Sequence, residues 1–207
     1  TNVLGGRRIT KKKATLGVKS FTFISTDKAV NPTNVMGATK RAAELFIQAF
    51  APTAPNTRFS LVRFGNVLGS KGSVAPLFEK QIADGGPVTV THPDMTRYFM
   101  SVEEASALVL QAAALSTKSE AEDAILYVLD MGEPVRVIEL AEKMIRMKGL
   151  TPGQDILIRV TGPRPGEKLT ETVFYDREQV KNTSVDGVLE VAWSKSPPIA
   201  EVQARLD

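Results

Sequence analysis

Phe21-Thr22-Phe23-Ile24-Ser25-Thr26-Asp27-Lys28-Ala29-Val30-Asn31-Pro32-Thr33-Asn34-Val35-Met36-Gly37-Ala38-Thr39-Lys40 is the stretch on which the fold turns. It opens as a short apolar strand, Phe21 to Ser25, and passes through a polar segment into turn chemistry at Asn31 to Asn34. Asn34 can cap a helix over 35–50, in which Leu45, Phe46 and Ala49 recur at helical spacing.

The same alternation extends in both directions. Upstream, residues 7–17 read as a helix closed by Gly17. Downstream, Pro52 and Pro55 mark a loop, and Phe59 to Phe64 is a second apolar strand with Gly65 just past its end. A helix over 74–84 stops at Gly85-Gly86-Pro87. Short strands follow over 88–91 and 97–100, then a helix over 102–115 that Ser101 can cap. Lys118 to Asp123 is a polar loop. Ala124 to Leu129 is a third apolar strand, a helix over 136–148 ends at Gly149, and strand 155–160 leads into the loop Thr161 to Lys168. Strands that read as continuous apolar runs and alternate with helices imply an α/β fold with a parallel sheet covered on both faces.

Composition narrows the function classes. The chain has 207 residues, of which 43% are hydrophobic and 24% charged, as in soluble globular proteins. No run reaches the roughly 18 apolar residues of a membrane span, and Thr1 to Lys13 lacks the apolar core of a secretory signal. With no cysteine, disulfides, thiolate metal sites and cysteine nucleophiles are excluded. The single His92 excludes a multi-histidine metal site, and no metal is expected. A net charge of +3 is compatible with an anionic small substrate and too weak to argue for nucleic acid. The basic run Arg7, Arg8, Lys11, Lys12, Lys13 reads as a solvated helix face.

One motif is absent. No strand is followed by Gly-x-Gly-x-x-Gly or Gly-x-x-Gly-x-x-Gly, and neither Gly5-Gly6 nor Gly85-Gly86 has the spacing or the flanking strand. If this is a dinucleotide fold, the pyrophosphate-binding half is missing. The chain also opens in mid-pattern, so a fragment is expected.

In an open parallel sheet, ligands sit beyond the carboxyl ends of the strands. Thr26, Asp27 and Lys28 fall at that edge and supply a hydroxyl, an acid and a base, the set that acid–base chemistry needs. Met36 and Lys40, four apart, share one helix face, and Lys40 can reach back to the same strand edge. Taken singly, these residues have plainer readings: a polar turn, a core methionine and an exposed helix lysine.

Ser25 to Lys40 as a contiguous run resembles the active-site stretch of extended short-chain dehydrogenases/reductases, and more narrowly the UDP-N-acetylglucosamine 4,6-dehydratases of polysaccharide biosynthesis. The resemblance continues through Asn2-Val3-Leu4-Gly5, Arg63-Phe64-Gly65-Asn66-Val67-Leu68-Gly69-Ser70, Gly72-Ser73-Val74-Ala75-Pro76, Met95-Thr96-Arg97-Tyr98-Phe99-Met100 and Gly162-Pro163-Arg164-Pro165-Gly166-Glu167-Lys168. It implies a Rossmann-like doubly wound parallel sheet without its glycine-rich half, carrying a small α/β substrate-binding subdomain. Residues 1–70 would be the remainder of the NAD(P)-binding domain with its catalytic loop. Residues 71–207 would be mainly the UDP-sugar subdomain, with 124–130 returning to the sheet.

The reaction so implied takes a hydride from sugar C4 to the nicotinamide of NAD or NADP, eliminates water across C5 and C6, and returns the hydride to C6. Lys40 would bind the nicotinamide ribose, and Ser25, Phe64, Gly65 and Val67 would join it around the cofactor. Asp27 would protonate the leaving C6 hydroxyl. Lys28 would be the base at C5 and must be neutral to act. Thr26 would hydrogen-bond the C4 oxygen. Met36 is the departure: most of the superfamily has tyrosine there as base, and methionine can neither give nor take that proton. Methionine is typical of the large membrane-anchored dehydratases, and the C4 proton would leave through Thr26, Asp27 or water.

A UDP group also needs partners. Arg97 and Arg164 match phosphate oxygens, Glu167 could accept from ribose hydroxyls, Ser73 and Val74 open a helix whose free N–H groups favour an anion, and Asn66 and Thr89 are polar contacts. The competing readings are a nucleotide-sugar epimerase, which Met36 argues against, and a UDP-sugar-binding module without catalysis of its own. A cytoplasmic homo-oligomer is expected, paired through helices 7–17 and 35–50 and reaching a membrane only through segments outside this chain.

Overall fold

A computed structural model describes residues 2–70, 73–119, 121–192 and 197–206. Thr1, Gly72, and Glu120 of the expected loop Lys118 to Asp123 lie outside the described residues. In chain order the elements are α1 (Asn2–Thr15), β1 (Ser20–Ile24), α2 (Val35–Phe50), β2 (Arg58–Arg63), β3 (Asn66–Val67), α3 (Val74–Ala83), β4 (Val88–Val90), β5 (Thr96–Arg97), β6 (Phe99–Met100), α4 (Val102–Lys118), β7 (Ile125–Leu129), β8 (Val135–Arg136), α5 (Val137–Met147), β9 (Ile158–Val160), β10 (Gln179–Asn182), β11 (Val188–Ala192) and α6 (Ile199–Leu206). A short 3-10 turn, Asp27–Ala29, links β1 to the approach of α2, and a second, Ala51–Thr53, follows α2.

Local chemistry sets these boundaries. Asn34 caps α2 by accepting from the Gly37 amide at 2.9 Å, and Ser101 caps α4 by accepting from the Glu104 amide at 3.1 Å. Gly17, at φ +68°, takes the left-handed conformation that follows a helix end. The start of α1 at Asn2 rather than residue 7 is a correction: Gly5-Gly6 are poor helix formers and disguise the first turn.

The chain divides into two compact units. The first comprises residues 1–64, 106–130 and 172–207 and holds a five-stranded sheet in the order β1-β2-β7-β11-β10. β1 pairs parallel with β2, and β2 parallel with β7, while β11 runs antiparallel to β7 and β10 antiparallel to β11. Its core joins Phe46, Ile47 and Ala49 of α2 to Phe59 and Leu61 of β2, Leu126 and Val128 of β7, Val191 of β11 and Val202 of α6. Each such large side chain contributes about 1.5–3 kcal/mol by leaving water.

The parallel core β1-β2-β7 is the expected α/β arrangement. The antiparallel strands β10 and β11 were not anticipated. All four residues of β10 are exposed and three of them are polar, so no apolar period marks the strand. They change the division of the chain as well. The sequence reading returned only 124–130 to the sheet after residue 70, whereas 106–130 and 172–207 group with residues 1–64, because β11 pairs with β7 and α6 adds Val202 to the core.

The second unit, residues 65–105 and 131–171, contains three two-stranded sheets, β3-β6, β4-β9 and β5-β8. Phe78 and Ile82 of α3 pack with Val88 and Val90 of β4, Val137, Ala141 and Ile145 of α5, Met95 and Ile156. The single strand expected over 97–100 is two short strands. Thr96-Arg97 pairs antiparallel with β8, and Phe99-Met100 pairs parallel with β3. The strand expected over 155–160 begins only at Ile158, since Ile156 bridges to Pro152 instead.

Candidate active site

β1 delivers its last residues to the carboxyl edge of the sheet, where two backbone bonds fix the loop that follows. The Ser25 amide donates to Val62 O at 2.8 Å, and the Asp27 amide donates to Phe64 O at 3.0 Å. Phe64, expected at the cofactor, therefore serves this loop through its carbonyl.

Asp27 is completely buried. Its Oδ1 accepts from Thr26 Oγ1 at 2.8 Å and from Lys28 Nζ at 2.9 Å, whereas its Oδ2 is buried without a hydrogen-bond partner among the described residues. A carboxylate oxygen buried without a donor is costly, so Oδ2 is the atom at which a further hydrogen-bonding group would be favoured. Lys28 is partly exposed beside it. The three expected chemical residues thus form one hydrogen-bonded set.

Lys40 reaches back as expected. Its Nζ donates to Ile24 O at 2.9 Å and lies 4.7 Å from the Phe23 ring centroid. Burial lowers its pKa, and the Glu44 carboxylate opposes that shift without cancelling it. One bond to Ile24 O leaves two ammonium hydrogens at the strand edge for a diol. Met36 is exposed rather than packed in the core. Between them, Gly37 is buried against the loop: a Cβ there would overlap the Lys28 carbonyl, and only glycine permits so close an approach of α2.

Beside this set lies an ionic network that the sequence reading missed. Ser25 Oγ donates to Glu44 Oε1. Arg63 grips Glu44 with both ends of its fork, Nε to Oε1 and Nη2 to Oε2, each at 2.8 Å. Arg41 Nη1 adds a 2.9 Å bond to Oε2, and Arg63 Nη1 reaches Glu178 at 3.0 and 3.2 Å. Burial pushes the Glu44 carboxyl up, but the bonds and charge of Arg63, with Ser25 and Arg41, outweigh it and hold the pKa below the usual carboxylate value. Burial likewise opposes the Arg63 charge, and Glu44 and Glu178 raise its pKa above the ordinary value. Two carboxylates and two guanidinium groups leave the network neutral, the condition for keeping such charges buried. The signals were present: a charge ending the apolar strand Phe59 to Phe64, and a carboxylate one turn beyond Lys40.

In the second unit, Arg97 is nearly buried. Its Nη1 donates to Thr96 O at 2.7 Å and Leu169 O at 3.1 Å, and its Nη2 lies 3.5 Å from Glu167 Oε1. Glu167 also accepts from Thr91 Oγ1 at 3.3 Å and from the Arg164 amide at 3.0 Å. This pair braces the loop Thr161 to Lys168 and presents the exposed Arg164, whose guanidinium has no ion-pair partner among the described residues. Ser73 stands at the start of α3 but makes no capping bond, and its Oγ is buried and unpartnered among the described residues. Val74 is the first residue of that helix. Thr89 is engaged by Gln81, which donates to its Oγ1 at 2.7 Å and accepts from its amide at 3.0 Å. Asn66 donates twice to Tyr98 O, and Val67 pairs with Met100. Gly65 allows its chain to pass within contact of Tyr98, since an added Cβ would stand 2.8 Å from Tyr98 Cβ. Among the described residues no three histidine or acidic side chains gather as metal ligands, and no helix is long and apolar enough to cross a membrane.

Comparison with known proteins shows the family. The family model described as "Polysaccharide biosynthesis protein" matches residues 1–192. The capsular polysaccharide biosynthesis protein CapD of Staphylococcus aureus is 54% identical over 177 residues, covering 86% of this chain and 28% of its own length. The X-ray structure of Pen from Bacillus thuringiensis superposes with a TM-score of 0.81 at 34% identity, over 92% of this chain and 58% of that one. DesIV from Streptomyces venezuelae, a dTDP-glucose 4,6-dehydratase with NAD and TYD bound, matches at TM-score 0.68 and 18% identity, over 84% of this chain and 57% of its own, a likeness of fold. The chain spans little more than a quarter of CapD.

Proposed function

The chain belongs to the polysaccharide biosynthesis protein family, and from that premise we propose that it carries the catalytic loop of a nucleotide-sugar 4,6-dehydratase acting on UDP-N-acetylglucosamine. One observation carries the reading: Asp27 is fully buried, bonded to Thr26 and Lys28 through Oδ1 and unpartnered at Oδ2, at the carboxyl edge of β1. A dehydration across C5 and C6 needs an acid for the leaving hydroxyl and a base for the C5 proton. Asp27 Oδ2 is the acid position and Lys28 Nζ the base. Lys28 Nζ stands one hydrogen bond, 2.9 Å, from Asp27 Oδ1, so the acid and base positions lie side by side.

NAD or NADP, when bound, supplies the oxidation at C4 and the matching reduction at C6. The donor set fits its nicotinamide ribose: Lys40 Nζ keeps two hydrogens free of Ile24 O at the strand edge. Ser25 holds that edge through Glu44. Exposed Met36, where a tyrosine base would stand in most of the superfamily, supports a reaction in which that position moves no proton.

For the UDP group, the exposed Arg164 guanidinium and the N-terminus of α3 at Ser73 and Val74 are the diphosphate contacts. Arg97 and Glu167 serve as the brace that presents Arg164. The test is turnover of UDP-N-acetylglucosamine by the full-length protein, read by product mass. Loss of one water, abolished in Asp27→Asn and Lys28→Ala, supports the reading. Unchanged turnover in both variants, or a product of unchanged mass as an epimerase gives, overturns it.

A further inference from the structure

We propose that Tyr175 is a positioning residue for the catalytic loop, tying the carbonyl next to Lys28 to the buried ionic network. The inference rests on the roles proposed for Asp27 and Lys28. Tyr175 lies far along the chain, in a stretch with no apolar period.

Three features place it in that role. Its hydroxyl donates to Ala29 O at 3.1 Å, one residue beyond Lys28. Its ring is ringed by guanidinium groups, with Arg41 at 5.0 Å, Arg177 at 5.5 Å and Arg63 at 5.7 Å from the centroid. Its own amide donates at 2.8 Å to Glu178 Oε2, an oxygen that also accepts from Arg63. Ring, hydroxyl and amide are therefore each fixed, and a side chain so held is a rigid strut rather than a surface contact.

The loop Ser25 to Ala29 is then secured at Ser25, Asp27 and Ala29. Val62 O and Glu44 hold Ser25 by its amide and its hydroxyl, Phe64 O holds the Asp27 amide, and Tyr175 holds Ala29 O. Arg63 links two of these anchors, since it grips Glu44 and Glu178 and lies against the Tyr175 ring. Asp27 and Lys28 sit between the anchors. Releasing Ala29 O loosens the end of the turn Asp27–Ala29 that carries Lys28, and misplacement of a reacting group by about 1 Å can cost on the order of 10²-fold in rate.

The test is Tyr175→Phe in the full-length protein, which keeps the ring and its arginine contacts and removes only the hydroxyl. Expected are a fall in kcat of about ten-fold per folded molecule, a KM for UDP-N-acetylglucosamine within about two-fold of wild type, and faster amide hydrogen exchange confined to residues 26–30. A merely structural tyrosine would lower the melting temperature and leave kcat of the folded protein unchanged, so unchanged kcat overturns the proposal, whatever the exchange shows. Unchanged exchange over 26–30 overturns it equally. Should the wild-type protein not turn over this substrate, the functional reading fails on its own, and exchange still decides whether Tyr175 holds the loop.

Discussion

Replacing Gly37 by alanine sets two known effects against each other. Alanine in a helix interior is favoured over glycine by roughly 0.5–1 kcal/mol, so an open site would gain stability. Here the added Cβ would stand 3.0 Å from the Lys28 carbonyl carbon, nearer still to its oxygen, and 3.2 Å from Pro32 Cβ. Non-bonded heavy atoms rest about 3.5–4.0 Å apart, and the carbonyl oxygen is the nearest atom, so α2 and the loop must part by at least about 1 Å. Overpacking of this kind costs about 1–3 kcal/mol, and a backbone carbonyl cannot rotate away as a side chain can, so a net loss of roughly 1–2 kcal/mol is expected. The separation falls between Lys28 and the helix carrying Lys40, so activity should drop on the order of 10²-fold in the molecules that remain folded. Urea unfolding gives the stability, and steady-state turnover corrected for folded fraction gives the rate. Ala38→Gly, at the adjacent exposed position, is the control: it should lose helix propensity and keep its rate. A Gly37→Ala protein as stable and as active as wild type would refute the claimed contact.

Further outcomes follow from the buried charges. Glu44→Ala removes two of the bonds of Arg63, leaves Glu178 as its carboxylate partner, and should cost about 3 kcal/mol in urea unfolding. Because the folded Glu44 carboxyl titrates below its ordinary 4.5, its contribution is fully present above that pH and is lost as pH falls through the folded value. Stability measured from pH 6 to 3 should decline less steeply in Glu44→Gln than in wild type. Tyr127 is pushed up from 10.0 to about 12, by burial first and by the Glu190 carboxylate second. Its contribution is present below pH 10 and fades between 10 and about 12, so Tyr127→Phe should flatten the alkaline decline seen by circular dichroism. Arg164→Ala removes a charged hydrogen-bond donor worth about 1.5–3 kcal/mol, so KM for the UDP-sugar should rise on the order of 10- to 100-fold with kcat little changed.

Much of this was legible in the sequence because strong local signals coincided. Asn34 and Ser101 mark true helix starts, the apolar runs around Leu61 and Leu126 are buried parallel strands, and Lys40 reaches the strand edge that its spacing from the loop implied. What escaped lacked local periodicity or depended on distant partners. β10 is exposed at every residue. Arg63 and Glu44 look like ordinary charges until the fold buries them together. Thr89 was expected to face a ligand and is engaged by Gln81, and Arg97 spends most of its fork on backbone carbonyls and Glu167. Tyr175 meets Ala29 across 146 residues of chain, a pairing that no window of sequence carries.

The central claim is that this loop serves an elimination across C5 and C6 with internal return of hydrogen. UDP-N-acetylglucosamine deuterated at C4, supplied to the full-length protein in ordinary water, tests it directly by mass spectrometry and NMR of the product. The account predicts a 4-keto-6-deoxy sugar retaining its deuterium at C6, with a solvent-derived proton at C5. Deuterium lost to solvent, or a product that keeps its C6 hydroxyl, would contradict it.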